Sequence, residues 1–237
     1  MPLQAVIFDM DGVLTDTVEF HYLSWKKVVS QYGVPFTRLE NQKLLGLTRR
    51  RSLEILLGER SFSEQQIQAI LQRKNEYFLE FVSQMNPAHL LPGVNRLLSE
   101  LSTARMRIGV ASASRNTRLV LKQLGVYNFM HAILDGNSML PSKPAPDIFL
   151  AAASALQVQP QACLVLEDSA SGIQAALAAG MCVVGLGPVR RVSQAHAVFS
   201  DLTEVCLKEL RSVYNRFHQP GNKSDRSIGA LTSTSPR

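Results

Sequence analysis

Five short apolar segments lie along the chain, and helical patterns separate most of them from one another. The segments are residues 5–8, 108–111, 132–134, 164–166 and 182–185. An alternation of strand and helix is typical of a parallel sheet, in which each helix carries the chain back to the start of the next strand. We therefore predict an α/β fold whose core is a Rossmann-like parallel sheet.

The connection between the first two apolar segments is too long for a single crossover. A crossover between parallel strands needs only about a dozen residues. The helical patterns in this connection are residues 18–32, 50–57 and 63–83. We predict that residues 17–88 form an inserted α-helical cap domain and that residues 1–16 and 89–218 form a discontinuous α/β core.

The formal net charge of +6 raises the question of a nucleic-acid partner. Much of the excess lies after residue 215, in a polar segment whose residues 219–237 we predict to be a disordered tail. The other basic clusters, residues 49–51 and 190–191, lack the interleaved aromatic side chains on which bases stack. We expect no nucleic-acid partner, whereas a modest positive bias suits a phosphorylated small substrate.

Neither a secretory signal nor a membrane span is predicted. Residues 1–4 contain no basic region before the first apolar segment. The longest apolar stretch, residues 175–189, is interrupted by glycines and is shorter than the roughly 20 residues of a membrane span. The cysteines Cys163, Cys182 and Cys206 are odd in number and lack C-x-x-C spacing. We expect a cytoplasmic monomer with reduced thiols in its core and no membrane partner.

Two aspartates, Asp9 and Asp11, directly follow the first apolar segment. In an extended chain the side chains of residues i and i+2 leave on the same side, so both carboxylates can face one small volume. One carboxylate can attack a substrate while the other moves a proton. Two like charges so close together require a bound cation or a raised pKa. The alternative, a solvated acidic loop, is disfavoured because an apolar strand leads into the pair and Gly12 suits a tight turn after it.

Polar residues suited to phosphate chemistry recur at the ends of later strands, where open parallel sheets bind ligands. Ser112 and the backbone amides after it can hold phosphoryl oxygens, and Lys143 supplies a positive charge. Asp168 can hold Mg²⁺ together with Asp9, because this ion prefers oxygen ligands. The ordinary alternatives are a strand-end cap, a surface lysine and a helix N-cap, but recurrence at successive strand ends favours one site. We also predict a cis peptide bond between Lys143 and Pro144.

These motifs together resemble those of the haloacid dehalogenase superfamily. The resemblance rests on the opening D-x-D-G-V-x-T/S-D-T, the serine after the second strand, the Lys143-Pro144 loop and the Glu167-Asp168 pair. It covers nearly the whole chain except the C-terminal segment, and it implies the branch in which a helical cap follows the first motif. Further segments resemble superfamily members that isomerise sugar phosphates, namely His21, Trp25 and Lys26, residues 45–49 with Ser52, and residues 73–75, 111–116 and 142–149.

The resemblance implies phosphoryl transfer through an aspartyl phosphate. Asp9 is implied to attack phosphorus, and Asp11 to protonate the departing oxygen and later deprotonate the accepting hydroxyl. Mg²⁺ is the implied cofactor, held by Asp9, by the backbone carbonyl of Asp11 and by Asp168 with Glu167 nearby. The implied activity is that of an isomerase that interconverts β-glucose 1-phosphate and glucose 6-phosphate through a sugar bisphosphate.

The resemblance also implies a set of residues that bind the phosphorylated sugar. They are Thr17, His21, Trp25, Gly46, Leu47, Arg49, Ser52, Lys74, Ser112, Ala113, Ser114, Asn116 and Lys143. Arg49 suits a second phosphate, because a guanidinium group matches phosphate oxygens in a bidentate way. His21 and Trp25 share a helix face, where they either pack together or sense the sugar. Lys74 reaches the sugar or Asp11, or else is an exposed helix lysine, and Thr17 lies at the hinge of the cap.

The main alternative is a sugar-phosphate phosphatase, which shares the aspartate pair and the metal. The two activities differ in whether water or a sugar hydroxyl accepts the phosphoryl group. A closed cap excludes water, so the cap residues of the implied binding set favour the isomerase. A non-catalytic phosphosugar-binding protein is disfavoured, because Asp9 and Asp11 are both present.

Overall fold

Six parallel strands form a single sheet within residues 1–44 and 47–219, the residues that the computed structural model describes. The strands are β1 (Ala5–Phe8), β2 (Arg107–Ala111), β3 (Ala132–Leu134), β4 (Cys163–Glu167), β5 (Cys182–Leu186) and β6 (Ala197–Phe199). Their order is β3-β2-β1-β4-β5-β6, and every neighbouring pair is parallel. The predicted α/β fold with a parallel sheet is confirmed.

The central position of β1 explains its sequence. All of its residues are buried, as is typical of a parallel strand whose two faces are both covered by helices. Phe8, its last residue, lies opposite Val110 of β2 and Leu166 of β4. The loops that follow these three strands therefore start at the same edge of the sheet.

The predicted strands agree closely with the observed ones. Residues 5–8 and 132–134 match β1 and β3, and the other three predictions differ from the strands by one residue at one or both ends. The sixth strand, β6, was not predicted. It is a short edge strand with half-buried side chains, so its apolar signal is weak.

The described residues of the segment 17–88, between β1 and β2, contain four α-helices. They are α1 (Val18–Val29), α2 (Arg38–Gln42), α3 (Arg49–Leu57) and α4 (Glu64–Val82). Thr37, Thr48 and Ser63 each cap a helix, because their hydroxyl oxygens accept a hydrogen bond from the backbone N–H three residues ahead. The predicted helix 18–32 is shorter in the structure, where a 3₁₀ turn follows α1 and ends at the left-handed Gly33. The short helix α2 was not predicted.

The inserted helices enclose an apolar cluster of their own. Trp25 and Val28 of α1 lie in it with Leu53 of α3 and Ile70 of α4, and none of its members belongs to a strand. Because this cluster is separate from the core around the sheet, we propose that residues 17–88 form a cap domain. Residues 1–16 and 89–218 would then form the core domain.

The remaining helices cover both faces of the sheet. They are α5 (Val94–Thr103), α6 (Thr117–Gln123), α7 (Asp147–Leu156), α8 (Ala170–Ala178), α9 (Val189–Val192) and α10 (Leu207–Phe217). Helices α5, α6 and α10 pack on the face that carries Val6 and Phe8. Helices α7, α8 and α9 pack on the face that carries Ala5 and Ile7. The result is a three-layer α/β/α arrangement.

Cys163 and Cys182 are buried in this core, Cys206 is half-buried, and all three thiols are free. In the described part of the chain, no helix combines the length and the apolarity that crossing a membrane would require. The predicted disordered tail lies outside the described residues, apart from Gln219.

Candidate active site

The aspartate pair begins where β1 ends. The backbone N–H of Asp9 still donates to the carbonyl of Leu166 at 2.9 Å, so Asp9 is held against β4. The chain then turns at Gly12, whose φ is 82°. A Cβ atom at Gly12 would overlap the carboxylate of Asp168, so the turn brings the loop after β1 directly onto the loop after β4.

Lys143 joins the loops that follow three strands. Its Nζ donates to Asp9 Oδ1 at 2.5 Å, to Glu167 Oε2 at 2.7 Å and to the carbonyl of Ala111 at 3.2 Å. Its side chain is only 10% exposed, so the surface-lysine interpretation is wrong. Burial opposes the charged ammonium, but the carboxylates of Asp9 and Glu167 outweigh it and raise the pKa of Lys143. The peptide bond from Lys143 to Pro144 is cis, as predicted.

Three carboxylates meet beside this lysine. One oxygen atom from each of Asp9, Glu167 and Asp168 lies within 4.8 Å of the others. Burial, followed by the charge of Glu167, raises the pKa of Asp9 well above its usual range and the pKa of Asp168 to about 7. Such crowding of buried negative charge suits a cation, and oxygen ligands suit Mg²⁺. The helix N-cap at this point is Ser169, not Asp168.

Glu167 is fixed by backbone and side-chain donors. Its Oε1 accepts hydrogen bonds from the backbone N–H groups of Asp168 and Ser169, at 3.2 and 3.0 Å, and from the Ser169 hydroxyl at 2.8 Å. Gly172 lies so close that a Cβ atom there would overlap the Glu167 carboxylate. The start of α8 therefore packs directly on the carboxylate cluster.

The second aspartate, Asp11, has different surroundings. The Thr17 hydroxyl, one residue before α1, donates a short hydrogen bond to Asp11 Oδ1. Burial raises the pKa of Asp11 to about 6, although the Thr17 hydrogen bond acts in the opposite direction. Near neutral pH, a carboxyl group of this kind can both give and take a proton.

Lys74 lies inside the cap and is only 1% exposed, so its interpretation as an exposed helix lysine is wrong. Its Nζ lies 2.7 Å from His21 Nδ1, 5.3 Å from the ring centroid of Trp25 and 4.7 Å from that of Phe78. Burial, followed by the charge of Arg49, lowers the pKa of Lys74. Burial, followed by the charge of Lys74, lowers the pKa of His21. His21 and Trp25 do share a face, and that face contacts Lys74.

Arg49 is the first residue of α3 and is half-buried. Burial lowers its pKa, and the charge of Arg115, in the loop after β2, lowers it further. Within the described residues, neither arginine forms an ion pair with a carboxylate. The charge of Arg49 therefore interacts with that of Arg115 in the core and with that of Lys74 in the cap.

The loop after β2 is held by its own hydroxyl groups. Ser112 Oγ accepts from the backbone N–H of Ser114 at 3.1 Å, and Ser114 Oγ accepts from that of Asn116 at 3.2 Å. The Asn116 side chain donates to Asn75 Oδ1 of α4 at 2.9 Å, which links this loop to the cap. Ser112 therefore does cap the strand end, as the ordinary interpretation has it, and Ala113 lies between the two serines.

The remaining members of the implied binding set are Gly46, Leu47 and Ser52. Gly46 is outside the described residues. Leu47 is exposed just before α3, and Ser52 is buried within α3. In the described part of the chain, no hydrogen bond or ion pair joins Leu47 or Ser52 to the carboxylates.

Sequence reasoning missed three interactions of the site. The charge of Arg115 acts on Arg49, the Asn116 side chain donates a hydrogen bond to Asn75, and Arg191 of α9 lies 3.2 Å from Asp168. Arg191 follows the fifth predicted strand, so the rule that ligands bind beyond strand ends could have selected it. In the sequence it appeared only as part of a basic pair.

Residues 6–186 match the family model described as haloacid dehalogenase-like hydrolase, and the chain belongs to this family. The chain is 38% identical to β-phosphoglucomutase from Bacillus subtilis over 219 residues, which cover 91% of this chain and 97% of that protein. Its structure is similar to that of β-phosphoglucomutase from Clostridium difficile, with a TM-score of 0.87 and 33% identity over 91% of this chain and 98% of the other. A phosphorylated carbohydrates phosphatase from Thermotoga maritima is 29% identical over 221 residues, which cover 89% of this chain and 100% of that protein.

Proposed function

We propose that this protein acts as a β-phosphoglucomutase. It interconverts β-glucose 1-phosphate and glucose 6-phosphate through an aspartyl phosphate on Asp9 and a glucose 1,6-bisphosphate intermediate. The similarity to two β-phosphoglucomutases over most of the chain supports this activity. Its phosphorylated sugar substrate agrees with the cations at the proposed site.

The observation that carries the proposal is a second cationic region, separate from Lys143. The charge of Arg115 in the core acts on Arg49 of the cap, and neither guanidinium group has a carboxylate ion-pair partner among the described residues. Two guanidinium groups whose charges act on each other suit a phosphate group, which each can bind through two hydrogen bonds. A sugar bisphosphate has one phosphate to react at Asp9 and another to bind here.

Asp9 is the proposed nucleophile. A carboxylate oxygen of Asp9 attacks phosphorus, the bond from phosphorus to the sugar oxygen breaks, and an acyl phosphate remains on Asp9. Lys143 lies beside Asp9 and would bind the phosphoryl oxygens, together with Ser112 and the backbone amides that follow it. These donors stabilise the charge that moves onto the phosphoryl group.

Asp11 is the proposed general acid and base. In its protonated form it gives a proton to the departing sugar oxygen, and as a carboxylate it later takes a proton from the accepting hydroxyl. A pKa of about 6 allows both forms near neutral pH. Its hydrogen bond from Thr17 connects this proton transfer to the start of the cap.

The carboxylate cluster fits Mg²⁺, because among the described residues its three carboxylates, two buried and one partly exposed, pair only with the cations Lys143 and Arg191. We propose that Asp9, the backbone carbonyl of Asp11, and Asp168 with Glu167 hold the ion. When bound, Mg²⁺ neutralises the charge of the phosphoryl oxygens. Cys163, Cys182 and Cys206 are free, which suits a reducing compartment, and we propose a cytoplasmic location.

The cap is proposed to select a sugar hydroxyl over water. Lys74 is buried against His21 and aromatic rings, and Asn75 accepts a hydrogen bond from Asn116 in the loop after β2. A cap that is closed on the substrate would exclude water from the acyl phosphate until the sugar hydroxyl reaches it. A sugar-phosphate phosphatase is the second candidate, favoured by the similarity to the Thermotoga maritima phosphatase.

One assay separates the two candidates. β-Glucose 1-phosphate is supplied with Mg²⁺ and a trace of β-glucose 1,6-bisphosphate, and glucose 6-phosphate and free phosphate are followed in the same sample. Fast formation of glucose 6-phosphate with little free phosphate is expected of the mutase. Release of phosphate without isomerisation would instead identify a phosphatase.

A further inference from the structure

Arg191 reaches the proposed metal site from α9, the short helix that follows β5. Its Nη2 lies 3.2 Å from Asp168 Oδ2, and its side chain is 43% exposed, compared with 20% for Asp168. Gly187 leaves room for the guanidinium group, because a Cβ atom there would lie 2.6 Å from Arg191 Nη2. The contact therefore depends on the local backbone as well as on charge.

The two cations at the carboxylate cluster are held very differently. The Lys143 side chain is only 10% exposed and donates to both Asp9 and Glu167 as well as to a backbone carbonyl. Among the described residues the Arg191 side chain forms one ion pair, and its N–O distance of 3.2 Å is longer than the about 2.7–2.9 Å of a strong charge-assisted hydrogen bond. Since a partly exposed ion pair is weak, Arg191 can move into solvent at little cost, whereas Lys143 cannot.

We propose that Arg191 competes with the divalent cation for Asp168 and thereby sets how tightly the protein binds Mg²⁺. Without the ion, the guanidinium group neutralises Asp168. When the ion binds, its charge weakens the contact between Arg191 and Asp168, and by reciprocity Arg191 weakens the binding of the ion. The inference rests on the magnesium site of the proposed function but is independent of which acceptor takes the phosphoryl group.

The test measures the Kd of Mg²⁺ for the unchanged protein, R191Q and R190Q. MgCl₂ alone is titrated into each full-length protein by isothermal titration calorimetry. Arg190 is the matched control, because it lies next to Arg191 on α9, is exposed and loses the same charge when substituted. At low ionic strength, R191Q should bind Mg²⁺ about two- to fivefold more tightly than the unchanged protein, as expected for the loss of a partly exposed competing charge. R190Q should bind within experimental error of the unchanged protein.

Added salt provides a second readout. Because screening weakens exposed charge interactions, the difference in Kd between R191Q and R190Q should shrink as NaCl is raised. Circular dichroism and thermal unfolding in EDTA verify that both variants are folded.

Three results would overturn the inference. Equal Mg²⁺ affinities for R191Q and R190Q would mean that Arg191 does not compete. Weaker binding by R191Q would mean that Arg191 orients Asp168 for the metal instead. Failure of the unchanged protein to bind Mg²⁺ would remove the metal site of the proposed function together with the inference, whereas the first two results leave that function intact.

Discussion

Two buried lysines, one in each part of the proposed site, show how different the two parts are. Lys143 at the edge of the sheet is paired with Asp9 and Glu167, and its pKa is raised. Lys74 in the cap has a histidine and aromatic rings around it, and its pKa is lowered. Burial acts against the charge of both, so the neighbouring groups decide the outcome.

This contrast suggests different tasks for the two regions. The edge of the sheet has an excess of carboxylates and is built to receive a cation and a phosphoryl group. The cap presents positive charge from Arg49 and Lys74 without a carboxylate in ion-pairing contact among the described residues, so it is suited to receive an anion. The predictions below test that division.

The largest effect is expected at the sheet edge, from Asp9→Asn. Loss of the nucleophile should lower mutase kcat by at least about 10⁴-fold, because no other group can form the acyl phosphate. Steady-state formation of glucose 6-phosphate measures the loss, with circular dichroism as the test of folding. Asp201→Asn, a change of the same type at a partly exposed aspartate outside the site, should retain full activity. Substantial turnover by Asp9→Asn would show that another residue is the nucleophile.

Asp11→Asn tests the carboxyl group that follows β1 and accepts a hydrogen bond from Thr17 at the start of the cap. Removal of the acid and base should slow the mutase reaction by about 10²–10⁴-fold. The loss should be much smaller with p-nitrophenyl phosphate, since its leaving group departs without a proton. Pre-steady-state release of nitrophenol measures that step, and equal losses with both substrates would contradict the proton-transfer role.

The paired variants Lys143→Met and Lys74→Met test the comparison directly through stability. Lys143→Met leaves Asp9 and Glu167 buried without their cation and should lower the free energy of unfolding by about 3–5 kcal/mol in metal-free protein. Lys74→Met removes a buried charge that has no carboxylate partner, so it should cost less than about 1 kcal/mol or stabilise the protein.

Urea unfolding in EDTA measures both free energies under the same conditions. Similar destabilisation by the two substitutions would end the distinction between a paired and an unpaired lysine. Both variants should have low mutase activity, so stability is the readout that separates them.

The smallest loss of activity is expected from Arg49→Ala in the cap. It should lower kcat/KM for glucose 1,6-bisphosphate by about 10- to 100-fold. A loss of this size corresponds to one or two missing hydrogen bonds between charged groups. Hydrolysis of p-nitrophenyl phosphate, which has no second phosphate, should change little. Arg50→Ala is the matched control, because Arg50 pairs with Glu54 and Glu64 on the cap surface. Equal losses with both substrates would place Arg49 outside a second phosphate site.

Sequence reasoning was most successful where the signal is local. The apolar runs of β1 and β3 matched the strands residue by residue, and the Asp9-Asp11 pair lies directly after β1 as expected. It was less successful for β6 and α2, because elements this short contain too few residues for a recognisable period. It also left Lys74 open between a buried and an exposed position, because one lysine on a helix does not reveal which neighbours cover it.

The sequence by itself determined the parallel α/β sheet, the helical insert after its first strand and the residue types at the strand ends. Those features depend on apolar periodicity and on turn residues that lie close together in the chain. Only the tertiary structure decided the partners of each charge. Lys143 meets Asp9 across 134 residues, and Asp168 meets Arg191 through the packing of neighbouring loops. The pKa of a buried group depends on such neighbours and on burial, so the same residue type is a paired cation at the sheet edge and an unpaired one in the cap.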